Sequence, residues 1–407
     1  MRTGTLIVGA GQAGLALSRF LTSLECEHAV LERGRMGERW RSERWDSLAL
    51  LTPNWFNRLP EAPLAAEPDG FLTGRAFADE LERYAASFAA PVHERTTVAR
   101  VSASGGGFAV ETDAGTWHAA NVVVATGHAD LPLIPPVAAG VPDGIAHLHA
   151  SRYRSPEQLP DGGALVVGAG PSGQQIALEL RRAGRNVTIS AGRHARVPRT
   201  YRGRDLWCWL RALGHLERTR DQLRRPEAAL RSPSLPLDGR DGGRRLDLEV
   251  LARAGVTLAG RLEGFTGGRA RFTGDLPANV AAAERRLRSL LDSIDAHPAA
   301  AGAPRAEPLP EVPVEDVPEG LALEGLGAII WATGYRRAYP WLDVPVLDER
   351  GELAHERGVT AVPGLYALGL RWQHRLTSHQ IGGVGRDAAY LAARIAARER
   401  RGAERAA

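Results

Sequence analysis

The sequence predicts an α/β chain of two similar units, each a mostly parallel sheet flanked by helices. Three observations carry that prediction. The stretch "LIVGAGQAGLA" at residues 6–16 returns nearly unchanged as "LVVGAGPSGQQ" at 165–175. Each copy reads as an apolar run, then G-x-G-x-x-G, then a helical run. A second strand-like run follows each copy, "HAVLER" at 28–33 and "NVTIS" at 186–190. A strand that passes through a glycine-rich turn straight into a helix is a Rossmann-like dinucleotide site. Gly9 and Gly168 permit the tight turn, and Gly11 and Gly170 let the backbone approach a pyrophosphate. Gly14 and Gly173 let the helix pack on the strand, with Ser172 inside the second turn. Two such sites in one chain predict two dinucleotides, one delivering electrons to the other.

The elements follow in order. In the first unit "LIVGAG" is a buried strand, 12–24 a helix and 28–33 the next strand. Glu32 ends that strand about 20 residues after the turn, where a carboxylate accepts from a ribose 2′-OH and repels a 2′-phosphate. The first site is therefore expected to take FAD or NAD, not NADP. Residues 91–127 alternate apolar and polar positions between glycine turns, which predicts a small inserted sheet and then the strand "NVVVATG". In the second unit the strand after the fingerprint ends at Ser190, with Arg193 and Arg196 just beyond and no carboxylate. A hydroxyl and two guanidiniums suit a 2′-phosphate, which predicts NADPH over NADH. Residues 204–216 read as a helix apolar nearly all round, a core piece or a lid, with Trp207 and Trp209 read as core. Residues 296–320 are a Pro- and Ala-rich linker. "GAIIWATGY" and "VPGLYALGL" are strands, and 383–401 is a helix returning to the first unit. The expected borders are 1–154 and 319–407 for the first unit and 155–318 for the second.

Composition removes other classes. The chain has 407 residues, 44% of them apolar, enough for two or three cores. All 51 basic residues are arginine, interspersed with acids to a net charge of +4, which argues against nucleic acid. Cys26 and Cys208 lie far apart, with no C-x-x-C, so neither a dithiol centre nor a metal site is expected. No apolar run approaches the ~20 residues of a membrane span. A cytoplasmic location is the expectation.

These pieces together resemble the flavin-containing monooxygenases, a branch of the two-dinucleotide flavoproteins with glutathione-reductase-like topology. "GAGQAG" and "GAGPSG" match that family's FAD and NADPH fingerprints, "GERW" its Gly-Gly-x-Trp, and "IIWATGY" its Ala-Thr-Gly-Tyr strand. "HASRYR" matches the second half of its signature at His149, Tyr153 and Arg154. Asp143 and Ile145 stand where the first half has Phe and Gly. The resemblance implies FAD contacts from Arg33, Arg39, Trp40, Val98, Ala125, Gly127 and Gln380. It also implies the reaction: NADPH reduces FAD, reduced FAD captures O₂ as a C4a-(hydro)peroxide, and one oxygen passes to the N, S or C atom of a small organic substrate. Leu51 stands where many relatives carry an asparagine against the flavin face. Leu51, Thr52, Asn54, Trp55, Trp372, His374 and Gln380 are the candidates for the substrate pocket. The expected partners are O₂, the substrate and a second copy of the chain. Two readings remain open beside this one: a reductase passing electrons to a quinone or a protein, and a flavin-binding sensor with no catalytic role.

Overall fold

The computed structural model describes residues 1–62 and 66–406. The first fingerprint folds as strand Arg2–Val8, turn and helix Gln12–Ser23, followed by strand His28–Leu31. The strands pair in parallel, Leu6 beside Ala29 and Val8 beside Leu31. The second repeats this as Gly163–Val167, Pro171–Arg182 and Val187–Ser190.

The inserted hairpin is continuous with the first sheet rather than separate from it. Strand Gly115–Val124 pairs antiparallel with Gly107–Thr112 along its first half and parallel with Leu365–Ala367 along its last residues. Its other edge runs parallel to Arg2–Val8. One strand thus carries the chain from the hairpin to the floor of the first glycine turn. The closing helix, Val384–Ala406, packs on Gln12–Ser23, and Leu15, Leu21, Leu391 and Ile395 share one fully buried core. Each such side chain stabilises the contact by roughly 1.5–3 kcal/mol on burial.

The second sheet corrects both expected borders. Its order places Leu326–Trp331 beside Gly163–Val167 and Ala146–His149 at the edge, all parallel. Residues 146–149, expected in the first unit, and 326–331, expected in the return, therefore belong to the second. Residues 326–331, LGAIIW, are an apolar run without alternation, and 146–149, AHLH, is only four residues long. Such runs fit any buried parallel strand, so only tertiary pairing decides which sheet takes them.

The expected tryptophan helix spans Leu206–Ala212, capped by the Asp205 carboxylate on the Trp207 N–H. Trp209 is fully buried and donates its indole N–H to the Tyr201 carbonyl at 2.7 Å. A 20-residue helix, Leu276–Asp295, was not foreseen; it buries Leu276, Ala283, Leu287 and Ile294 on one side. The linker holds one short helical turn, Pro298–Ala300, before strand Gly320–Ala322. Among the described residues no helix is long and apolar enough to cross a membrane.

Candidate active site

Both glycine turns open into one cavity of about 1260 Å³. Their floors are nearly identical in backbone. Gly9 and Gly168 hold φ of 110° and 112°, where L side chains are strained. A Cβ on Gly14 or Gly173 would collide with the carbonyl oxygen of Gly9 or Gly168, so these two glycines set how closely helix and strand approach. A Cβ on Gly11 or Gly170 would meet nothing within 4 Å, because both face the cavity. Neither helix has a side-chain cap at that end. Its first N–H groups and positive dipole end are left for an anion, as a pyrophosphate requires. The floors fit the two dinucleotides that the fold implies.

The rim of the first turn is acidic where expected. Glu32 lines the cavity, and its carboxylate accepts from the Ala10 N–H at 2.9 Å and the Gly34 N–H at 3.0 Å. Arg33, Arg39, Trp40, Val98, Ala125, Gly127 and Gln380 also line it. Arg39 is turned toward Asp130 at 2.5 Å, and Arg33 lies 3.8 Å from the same carboxylate. Gln380 Oε1 is buried without a hydrogen-bond partner, an acceptor suited to a ring N–H of a flavin.

The second rim departs from expectation at two of three residues. Ser190 ends its strand and borders the cavity, but its hydroxyl is used by the fold, donating to Gly260 O at 2.9 Å and accepting from Leu262 N at 2.8 Å. Arg196 does not reach the cavity. Its side chain is 4% exposed and is locked to Asp247 at 3.1 Å and Glu284 at 2.6 Å. A guanidinium already matched by two carboxylates has no charge left for a phosphate. Arg193 lines the cavity without an ion pair among the described residues, its guanidinium resting on the Arg231 carbonyl. Arg261 joins it, a residue the sequence reading missed. A Cβ on Gly192 would stand 4.0 Å from Arg261 Cβ. The signal was not local: Ser190 pairs with Ala259 in parallel, which sets residues two past each strand end side by side.

Between the rims lies an apolar chamber. Leu51, Thr52, Trp372 and Gln380 line it, as does Trp207, read from sequence as core. Three other candidates stand outside. The Asn54 side chain bridges Glu67 O and the Leu72 N–H, which ties down the loop. Trp55 lies against Phe56 and under the Arg211 guanidinium, 4.3 Å from its ring centroid. His374 is absent from the lining; its backbone N–H is held by Ser378 Oγ at 3.1 Å.

The chamber wall also carries a histidine pair, His128 and His379, with ring centroids 4.7 Å apart and edge to face. Burial, then the charges of Arg337, Arg371, Arg44 and Arg39, lower the His128 pKa to about 4. Burial also drives His379 well below its usual value. Both imidazoles are neutral at pH 7. Of the signature residues, His149 braces the second unit and Arg154 ties it to the first. The His149 Nε2–H donates to Gly334 O at 2.9 Å, Arg154 reaches the Arg44 carbonyl, and the Arg154 carbonyl accepts from the Asp46 N–H at 2.9 Å. Tyr153 is fully buried.

Known proteins with this architecture place the chain. The sequence pattern of the pyridine nucleotide-disulphide oxidoreductases matches residues 6–211. An uncharacterized CzcO-like oxidoreductase of Geobacillus kaustophilus is 35% identical over 394 residues, 95% of this chain and 96% of its own. An indole-3-pyruvate monooxygenase of Oryza sativa subsp. japonica is 35% identical over 189 residues, 44% of this chain and 46% of its own. A flavin-containing monooxygenase from Stenotrophomonas maltophilia shares the fold at a TM-score of 0.66 and 19% identity, covering 97% of this chain and 98% of its own. The chain belongs to the pyridine nucleotide-disulphide oxidoreductase family, as a flavin-dependent oxidoreductase that resembles the flavin-containing monooxygenases.

Proposed function

We propose that the protein is a monooxygenase that uses FAD, NADPH and O₂ to oxygenate a small, largely apolar organic molecule. One observation carries this reading. A single cavity joins both glycine turns to an apolar chamber, and neither Cys26 nor Cys208 lines it. A redox group between the two dinucleotides must then be the flavin itself, with no dithiol to relay electrons onward.

FAD, reduced by NADPH when both are bound, supplies the activation of O₂ and the transfer of one oxygen atom. The protein's part is to bind, orient and exclude water. Gly11 and Gly170 open two helix N-termini to the pyrophosphates, and Glu32 offers a carboxylate oxygen to a ribose hydroxyl. Arg193 and Arg261 supply the positive rim that favours a 2′-phosphate. Leu51, Trp207 and Trp372 keep the chamber apolar, which disfavours the water that would release hydrogen peroxide. His128 and His379 stay neutral and add no charge to that wall.

The test is stoichiometry on the purified flavoprotein. NADPH oxidised, O₂ consumed and oxygenated product should approach equality for a true substrate, with label from ¹⁸O₂ in the product. Fast NADPH oxidation on quinones without O₂, and no labelled product across a panel, would select the reductase instead.

A further inference from the structure

Among the described residues six arginines line the cavity: Arg33, Arg39, Arg44, Arg193, Arg261 and Arg371. Five are accounted for. Arg33 and Arg39 face Asp130. Arg44 lies over the rings of Trp40 and Tyr335, at 5.5 and 5.9 Å. Arg193 and Arg261 flank Gly192 beyond the second turn. Arg371 remains. It makes no ion pair among the described residues, and its hydrogen bond there runs from Nη2 to the Ser232 carbonyl at 2.6 Å. Burial, and then the nearby Arg337, push its pKa down. Arg337 is itself matched by Glu352 at 2.5 Å, and the neighbouring His128 and His379 are neutral. A half-buried guanidinium that lines a cavity without a counter-ion favours an anion there.

The backbone agrees. Trp372 holds φ at 54°, in the left-handed region that a bulky residue rarely adopts. Strain of this kind persists where surrounding structure over-determines it, notably at ligand clamps. Arg371 and Trp372 line the same cavity as Leu51, Trp207, Leu210 and Leu235.

We infer that Arg371 binds a carboxylate of the substrate, whose apolar body lies against the Leu51, Trp207, Leu210 and Leu235 wall. The substrate class is then a small organic acid with an aromatic or aliphatic body, not an amine. The inference rests on the monooxygenase reading only in calling the ligand a substrate. The same chemistry, an anion on a guanidinium, could come from a cofactor phosphate. The helix N-termini at Gly11 and Gly170 and the Arg193–Arg261 rim already meet those phosphates, which leaves Arg371 for the substrate.

The experiment measures binding, not turnover. Calorimetry on the FAD-loaded protein compares three acids with their primary amides: 3-phenylpropanoate, 4-phenylbutanoate and octanoate. At least one acid should bind ten times more tightly than its amide, with the advantage shrinking as salt is added. Arg371→Gln should erase that advantage, and Arg371→Lys should restore part of it, as a point charge without the planar fork. FAD content and NADP⁺ affinity should hold in both. Equal binding of every acid and amide by the unmodified protein, which needs no variant, would overturn the inference. So would an Arg371→Gln variant that loses NADP⁺ or FAD while keeping the acid preference, since Arg371 would then serve a cofactor phosphate. Acid binding through Arg371 without coupled O₂ uptake would sink the monooxygenase reading and leave this one standing.

Discussion

The two glycine turns are near copies with different rims, and the difference separates what local sequence dictates from what it does not. Their floors agree in every respect that three glycines control: φ at Gly9 and Gly168, open space at Gly11 and Gly170, contact at Gly14 and Gly173. Their rims diverge. The first presents Glu32, a carboxylate anchored by two backbone N–H groups and facing the cavity. The second presents no carboxylate, a serine consumed by its own loop, and two arginines from different strand ends. A floor binds any pyrophosphate; the charge of the rim selects which nucleotide brings it.

The largest effect that could break this comparison sits beside the second rim. Arg196→Ala leaves the Asp247 carboxylate, 1% exposed, without its main partner. Removing one member of a buried pair costs about 3–5 kcal/mol. Urea unfolding should show that loss, and the ratio of NADPH to NADH affinity should stay as it was. A collapse of the ratio with stability intact would return Arg196 to the phosphate site.

The floors can be broken one at a time. Gly11→Val fills space the first pyrophosphate needs, and its Cβ meets no protein atom within 4 Å. The variant should fold, melt normally as apoprotein and lose most of its flavin, on the order of a hundredfold in affinity, or about 2.7 kcal/mol. Gly170→Val should stay yellow and lose NADPH instead. Flavin loss in both variants would mean that the turns are not assigned one cofactor each. On the second rim, Arg193→Ala and Arg261→Ala should each lower NADPH affinity tenfold to a hundredfold, about 1.5–3 kcal/mol, with NADH little changed. Equal losses for both nucleotides would place these arginines on the pyrophosphate.

A fourth effect belongs to the first unit. The folded-state pKa of His128 is lowered, so between pH 6.5 and about 4 the unfolded chain binds a proton that the native one refuses. Stability is full above 6.5 and falls as pH drops through that window, by no more than about 1.4 kcal/mol per pH unit for this group. His128→Asn should narrow the difference in melting temperature between pH 7.5 and pH 5. An unchanged difference would assign the acid sensitivity elsewhere.

The sequence made the floors legible because their requirements are local: a glycine needing positive φ, a glycine needing no Cβ, a strand before and a helix after. Glu32 was legible for the same reason, lying one strand away. Arg261 was not, because its place beside Gly192 depends on the pairing of Val187–Ser190 with Thr257–Ala259. Arg196 misled because an arginine past a strand end reads the same whether it faces phosphate or Asp247. Strand 326–331 was visible as a strand, but nothing within it names the sheet it joins, and the four-residue strand 146–149 was not singled out. Helix Leu276–Asp295 was overlooked although Leu276, Val280, Ala283, Leu287, Leu291 and Ile294 recur at helical spacing, because it follows the second unit's strands without a glycine fingerprint to announce it.

The smallest effect tests the chamber between the rims. Leu51 borders the cavity, while its carbonyl accepts from Arg199 Nη1 at 2.7 Å. That bond fixes its backbone independently of its side chain, so Leu51→Asn changes what the wall offers rather than where it stands. A carboxamide there would supply a polar group to the cavity wall. It also weakens an apolar wall continuous with Trp55 and Trp207. The two changes act in opposite senses on water entry, which is why the net effect should be modest. We expect hydrogen peroxide per NADPH to fall about twofold, because a donor held against the flavin acts at the reacting centre while the wall acts through solvent. Peroxide assayed beside product in one reaction checks this. A rise in peroxide would show that the apolar wall at Leu51, not a polar contact, is what keeps the chamber productive.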